Sequence, residues 1–214
     1  MLDQAVAVTV VAVLGLAGLA ASNVLYDRGV PSTASRYVAP VIGGVGFLAA
    51  VAWLDVWTAV ALSGAMTVGI LGLRLRSRGR LRGVRGSLPT QAWSEVTYAF
   101  AGTASLAIGW GLLDDRWLAF VPIAFMAWGD SAAGFVRATL LRDRPGSLWA
   151  SAAMLGVCLA AALLYEPYWT GAVGAAVATA AERRRPMLLT FWDDNAHVVA
   201  MSLTVMALLA SFGR

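Results

Sequence analysis

The chain is divided into long apolar runs separated by short polar segments, and its apolar residues cluster instead of alternating with polar ones. Runs of about 20 apolar residues are typical of membrane-spanning helices. Lipid cannot hydrogen-bond to the backbone, so packed helices are the natural arrangement for such runs. The pattern predicts an all-α, polytopic membrane protein in which residues 1–214 form a single transmembrane domain. About eight spans are expected, at residues 4–24, 37–54, 56–73, 93–113, 117–136, 148–165, 168–181 and 196–212.

Composition agrees with a membrane location and excludes some kinds of catalytic and metal site. Hydrophobic residues make up 59% of the chain and charged residues 13%, whereas an average soluble domain is about a quarter charged. All 16 basic residues are arginine, which excludes any mechanism that needs a lysine, such as the phosphate-binding lysine of a P-loop. Cys158 is the one cysteine, so neither a disulfide nor a cysteine metal cluster can form within one chain.

The arginine positions predict the orientation. With eight spans, every arginine except Arg116 and Arg214 falls on one side of the membrane. The positive-inside rule makes that side cytoplasmic and places both termini outside. A basic cytoplasmic loop is expected at about 74–91. Its arginine run can serve topology and attraction to anionic lipids, or it can help to hold an anionic substrate.

Acidic residues gather at the predicted cytoplasmic ends of the fourth, fifth, seventh and eighth spans. Among them, Glu95 and Asp130 each lie within an otherwise apolar segment. An ionisable residue inside a span costs about 2.5–3.5 kcal/mol on insertion scales, and is therefore a functional-site candidate. The alternative is a residue at a helix end that reaches interfacial water. Gly129, beside Asp130, would allow a ligand or another backbone to approach closely.

The densest polar cluster at a membrane boundary is the segment 191–197, which contains Asp193, Asp194 and Asn195. Carboxylate and amide oxygens are hard ligands that suit Mg²⁺ together with substrate phosphates. The same residues are good helix N-caps, favoured by the helix dipole at the start of the eighth span. Both interpretations can hold at once.

Three segments resemble the CTP-dependent prenol kinase family of dolichol kinases and phytol kinases. The first is Gly129-Asp130-Ser-Ala-Ala, similar to the family's Gly/Ala-Asp-x-x-Ala. The second is residues 142–148, which end in Gly-Ser-Leu like the family's Lys-Ser-x-Glu-Gly-Ser-Leu element. The third is Glu182 followed by Asp193-Asp194-Asn195. The chain departs from the family after Asp130, where only Arg137 remains of a Gly-Arg-x-x-Gly element, and at residues 142–145, which read Arg-Asp-Arg-Pro.

The resemblance implies a cytoplasmic-side site that transfers the γ-phosphoryl group of CTP, or of another nucleoside triphosphate, to an isoprenoid lipid alcohol. Phosphoryl transfer depends on positioning, divalent metal and cationic stabilisation, and arginine can bind phosphate bidentately.

The expected partners are the alcohol, the nucleotide and membrane lipids, with no nucleic acid. The expected Mg²⁺ ligands are Asp130, Asp193, Asp194 and Asn195. The expected phosphate-binding residues are Arg137, Arg142, Arg144, Gly146 and Ser147. The expected catalytic residues are Asp130 and either Glu95 or Glu182.

Two other functions use similar ingredients. A lipid cytidylyltransferase of the phosphatidate or archaeol-phosphate type would also need CTP, Mg²⁺ and an anionic lipid, but it would release pyrophosphate instead of CDP. A transporter would place ionisable residues along a path near the bilayer midplane. In this sequence they crowd towards one face of the membrane.

The topology can be tested directly. Single cysteines introduced at Ser87 and at Ser211 should react with impermeant thiol reagents from opposite sides of sealed vesicles, because the eight-span arrangement puts residue 87 inside and residue 211 outside. Labelling of both positions from the same side would contradict this topology.

Overall fold

The computed structural model of the protein describes residues 3–76, 82–84, 93–139, 147–183 and 194–212, and for Asp194 only the backbone. Every regular element in these ranges is helical. The α-helices are α1 (Gln4–Asp27), α2 (Ser32–Ser35), α3 (Val38–Trp53), α4 (Val56–Arg76), α5 (Ser94–Ser105), α6 (Arg116–Ala124), α7 (Ser131–Thr139), α8 (Leu148–Ala162), α9 (Tyr168–Arg183) and α10 (Asp194–Phe212). A π-helical stretch, Leu106–Leu112, extends α5, and a second, Phe125–Asp130, joins α6 to α7.

The all-α prediction is confirmed, and a helical segment lies at each of the eight predicted positions. Within the described ranges, five helical segments are long and apolar enough to cross a membrane: Gln4–Asp27, Ser32–Trp53, Val56–Arg76, Arg116–Thr139 and Asn195–Phe212. The 15 residues of α8 extend only about 22 Å, less than a hydrocarbon core of roughly 30 Å. Eight membrane crossings therefore stay a prediction.

The basic loop predicted at about 74–91 starts later than expected. Arg74 and Arg76 belong to the last turn of α4, where cations interact favourably with the helix dipole. Of the remaining loop, the structure describes residues 82–84. There the backbone N–H of Gly83 donates to the side chain of Asn23 at 2.9 Å, which ties this piece to α1.

Side-chain caps begin several of the helices. Asp115 accepts hydrogen bonds from the backbone N–H groups of Trp117 and Leu118 at 3.1 and 2.9 Å, so it caps α6. Asp3 caps α1 in the same way, through the N–H of Ala5 at 3.1 Å. Such caps satisfy N–H groups that have no partner within the helix. They explain why these acids lie at turns and not within the apolar helices.

The centre of the bundle is α6 together with the π-helical stretch that follows it. From Leu118 to Ala127 its side chains are buried on all sides, as expected for an apolar helix surrounded by others. The helices that pack around it include α3, α8, α9 and α10. Pro122 has no N–H to donate within α6, and the π-helical stretch begins three residues later. Asp130 is the last residue of that stretch, and π-helical turns often occur at functional sites.

Small residues allow the helices to approach closely. A Cβ atom at Gly171 of α9 would lie 2.8 Å from the carbonyl oxygen of Ala162, and one at Gly174 would lie 2.6 Å from the sulfur of Met206. The helix at the seventh predicted position is therefore tightly packed against its neighbours, as expected for a helix rich in glycine and alanine. Two backbones also approach closely at Gly109, where a Cβ atom would lie 2.6 Å from the Cα of Ala119.

We expect Gly109→Ala to lower the melting temperature in detergent, because the added methyl group meets backbone that cannot move aside; overpacking of this kind costs about 1–3 kcal/mol. Gly156→Ala is the matched control. Gly156 lies on α8 with no heavy atom within 4 Å of its Cβ position, so alanine should be neutral or stabilising there. Equal melting temperatures for the two variants would contradict the close packing at Gly109.

Candidate functional site

An elongated cavity lies between α1, α3, α4 and α5 and has one polar end. Its polar end is formed where α3, α5 and α10 begin and where the π-helical stretch passes into α7. The ionisable and amide side chains that line this end are Arg36, Glu95, Asp130, Arg137 and Asn195. Four of these five were candidate site residues from the sequence. The structure therefore brings Glu95, Asp130, Arg137 and Asn195 to one place, although about 100 residues separate the first from the last.

Glu95 is buried and paired. Its side chain is 2% exposed and forms an ion pair with Arg74 of α4, through Oε1. Arg74 in turn lies over the ring of Trp93, 4.2 Å from the ring centroid, so its guanidinium is fixed from two directions. Glu95 does lie at a helix end, in the first turn of α5, but its side chain is buried within the bundle and is not exposed to interfacial water. The other carboxylate oxygen, Oε2, is buried and has no hydrogen-bond partner among the described residues.

Arg137 joins two carboxylates. Its guanidinium forms a hydrogen-bonded ion pair with Glu182 of α9 and lies 3.8 Å from Oδ1 of Asp130. Seven residues, or two helical turns, separate Asp130 from Arg137, which corresponds to about 10 Å along a helix. In the structure their side chains turn towards each other, and both line the same end of the cavity. Glu182 is 3% exposed and does not line the cavity.

Asn195 connects α10 to α5. Its amide Nδ2 donates to the backbone carbonyl of Ser94 at 3.4 Å. The side chains of Asp130 and Asn195 therefore offer a carboxylate and an amide oxygen to one cavity, which is the oxygen-donor chemistry that Mg²⁺ prefers. Within the described ranges, no three acidic, histidine or cysteine side chains lie close enough to hold a metal ion. The other expected ligands are Asp193, which lies outside the described residues, and Asp194, whose side chain is not described.

The expected phosphate-binding segment is described only at its end. Arg142, Arg144 and Gly146 lie outside the described residues. Ser147 is the N-cap of α8: its hydroxyl oxygen accepts from the N–H of Trp149 at 3.3 Å. Ser147 does not line the cavity. Its placement at a helix N-terminus, where backbone N–H groups favour anions, is compatible with the predicted role.

Aromatic side chains hold the polar end of the cavity in place. The hydroxyl of Tyr98 donates to the carbonyl of Pro40 at 3.0 Å, and the ring nitrogen of Trp128 donates to the carbonyl of Val41 at 3.2 Å. Both bonds fix the first turn of α3 against the neighbouring helices. The carbonyl groups of this turn therefore have defined partners beside the cavity.

Gly129 does not receive a ligand in this arrangement. A Cβ atom there would lie 2.4 Å from the sulfur of Cys158, so the absent side chain makes room for α8. Of the two possibilities expected at Gly129, a ligand or another backbone, the structure shows close approach by a neighbouring helix. Gly134 has a similar role towards the ring of Tyr37, which its Cβ atom would approach to 2.1 Å.

Two arginines of this region were not among the expected site residues. Arg74 is the partner of Glu95, and Arg36 lines the polar end of the cavity and lies against Tyr37, with its guanidinium carbon 4.7 Å from the ring centroid. The signal that could have identified Arg74 was present: the third predicted span ends with an arginine where the fourth begins with a glutamate. Adjacent spans place those two ends on the same membrane face, so the opposite charges can meet.

Compared with protein-family models, with curated proteins and with solved structures, the chain matches none of them.

Proposed function

We propose that this chain is a multi-pass membrane enzyme that transfers the γ-phosphoryl group of CTP, or of another nucleoside triphosphate, to an isoprenoid alcohol at the cytoplasmic face. The observation that carries the proposal is the cavity itself. One end presents Glu95, Asp130, Arg137 and Asn195, and the remainder is lined mainly by apolar side chains. An amphiphile with a small polar head and a hydrocarbon tail has this same division.

The apolar part of the cavity suits a hydrocarbon chain. Small and aliphatic side chains of α1, α3 and α4 form its walls, among them Val11, Gly15, Ala50, Ala59 and Met66. Along α3 the cavity runs from Ala39 to Ala50, which at 1.5 Å per residue is about 16 Å. In the predicted topology this direction leads from the cytoplasmic interface towards the bilayer centre. A lipid bound there would keep its hydroxyl group among the ionisable residues.

The residues divide into two groups in this proposal. Asp130 and Asn195 would hold Mg²⁺ with Asp193 and Asp194, and Mg²⁺ when bound neutralises charge on the transferred phosphoryl group. Arg142, Arg144, Gly146 and Ser147 would bind the phosphates. Arg137 is oriented by Glu182 and Asp130, and a guanidinium has five N–H donors, so donors remain for a phosphate after both contacts are made.

The distribution of charge favours an enzyme of this type over a transporter. Among the cavity-lining residues, all the ionisable side chains lie at the end formed by helix starts, and the middle of the cavity is lined by apolar residues and Ser63. A transport path would need polar groups near the bilayer midplane. The cytidylyltransferase alternative shares the site chemistry and is separated from the kinase by its products.

The deciding experiment uses the purified full-length protein in lipid nanodiscs with Mg²⁺, a panel of prenols and CTP labelled at the γ-phosphate. Transfer of the label to the lipid, with release of CDP, is expected. Release of labelled pyrophosphate, with the cytidylyl group on an added phospholipid, would identify the cytidylyltransferase instead. If neither product forms with any nucleoside triphosphate, the proposed reaction is wrong.

Asp130→Asn should reduce turnover by at least about a hundredfold while the protein still inserts and elutes as a folded particle. The change removes a carboxylate charge at the predicted metal site, and electrostatic stabilisation of the transferred group is usually the largest catalytic term. Asp194→Asn should have the same effect. Near-wild-type rates at saturating Mg²⁺ in either variant would remove that residue from the site.

Ala50→Leu should shorten the accepted chain. Ala50 is buried and lines the apolar part of the cavity far from the ionisable residues, so the larger side chain occupies space there. We expect kcat/KM for a long prenol to fall roughly tenfold relative to a short one, since a few methylene groups are worth about 1–3 kcal/mol in such a pocket. Ala61→Leu is the control: Ala61 is exposed on α4 and does not line the cavity. If Ala50→Leu leaves the preference between short and long prenols unchanged, the tail does not occupy this cavity.

A further inference from the structure

Two deeply buried carboxylates in this region have the same kind of ion pair but differ in their relation to the cavity. Glu95 and Glu182 are each almost fully buried, and each is paired with an arginine from another helix. Glu182 lies outside the cavity lining, whereas Glu95 lines the cavity and has one oxygen, Oε2, without a hydrogen-bond partner among the described residues. A buried acceptor of this kind is unfavourable unless a donor reaches it. Glu95 thus lies at the polar end of the cavity with one buried oxygen whose hydrogen-bonding capacity is unused within the described residues.

We propose that Oε2 of Glu95 is the group that recognises the hydroxyl of the bound lipid, by accepting its O–H hydrogen bond. This deepens the proposed function and rests on it, because the ligand is taken to be an alcohol. It also decides between the two glutamates that the sequence left as equal candidates for orienting the acceptor. Glu182 is assigned to positioning Arg137, and Glu95 to binding the alcohol.

Two neighbouring donors are already engaged. Arg74 bonds to Oε1, and its guanidinium is fixed against Trp93. The hydroxyl of Tyr98, one helical turn along α5, has its proton engaged with the carbonyl of Pro40. Oε2 can therefore accept from the hydroxyl of a bound alcohol, and a hydrogen bond from a hydroxyl group to a carboxylate is short and charge-assisted.

This geometry predicts discrimination between an alcohol and its methyl ether. Both have the same tail, but the ether oxygen has no proton to donate and would face a carboxylate oxygen. A hydrogen bond to a charged group is worth about 1.5–3 kcal/mol, which corresponds to at least about a tenfold ratio of dissociation constants. Glu95→Gln should bring the two dissociation constants close to each other. Arg74 would retain the amide oxygen, so the amide N–H group would replace Oε2, and it can donate to either ligand.

The test is equilibrium binding to the full-length protein in nanodiscs, without nucleotide or Mg²⁺. Tritiated geranylgeraniol is displaced by unlabelled geranylgeraniol or by its methyl ether. We expect the wild type to bind the ether at least about tenfold more weakly, and Glu95→Gln to bind the two within about twofold of each other. Equal binding by the wild type, or an unchanged ratio in Glu95→Gln, would overturn the assignment.

Glu182→Gln is the matched control, since it removes a carboxylate of the same burial and pairing that does not line the cavity. This variant should keep the wild-type ratio of the dissociation constants for the ether and the alcohol. Loss of that ratio in Glu182→Gln would show a structural effect and overturn the assignment. If Glu95→Gln does not fold, the double variant Arg74→Gln/Glu95→Gln takes its place, because it leaves no unpaired charge.

The ratio of the two dissociation constants is independent of turnover. Discrimination without phosphoryl transfer would refute only the proposed reaction, and phosphoryl transfer without discrimination would refute only the role of Glu95.

Discussion

The end of the bundle that holds the cavity is organised by the need of two buried carboxylates for a cation. Glu95 on α5 is held by Arg74 on α4, and Glu182 on α9 is held by Arg137 on α7. An isolated carboxylate in such surroundings would be very unfavourable, and removal of one partner from a buried pair typically costs about 3–5 kcal/mol. Each pair therefore fixes two helix ends relative to each other. The same pairs place the ends of α4, α5, α7 and α9 around one point.

This arrangement separates charge from the apolar interior. The ionisable groups satisfy one another at one end of the bundle, so the neighbouring stretch of α1, α3 and α4 can remain apolar and still contain a cavity. Small residues such as Ala50 line this stretch, while the hydrogen bonds of Tyr98 and Trp128 to the first turn of α3 keep that helix in position. A mostly apolar pocket with a few polar groups at defined positions is the usual construction of a small-molecule site.

The sequence predicted the helices well because an apolar run long enough for a bilayer has few other interpretations. It also placed Glu95, Asp130, Arg137 and Asn195 at the same face, since topology alone brings the ends of alternate spans together. It did not predict which arginine meets which acid. Pairing depends on how each helix is rotated about its axis. The π-helical stretch before Asp130 alters that rotation, and no residue pattern in the sequence predicted this stretch. Counting arginines by the positive-inside rule treats Arg74 and Arg76 as equivalent, whereas only Arg74 turns inward to pair with Glu95.

The balance of charge at the polar end bears on how a nucleotide and a lipid could share it. The described residues there supply three arginines, Arg36, Arg74 and Arg137, and three carboxylates, Glu95, Asp130 and Glu182. A neutral head group such as a hydroxyl can enter without disturbing that balance. A triphosphate brings several negative charges and needs additional cations, which the sequence supplies in the neighbouring arginines at 142, 144 and 183–185 and in the acids that can hold Mg²⁺. In the proposed reaction the cavity would hold the lipid and the segments that follow α7 and α9 would bind the nucleotide, so that the two substrates would meet at Asp130 and Arg137.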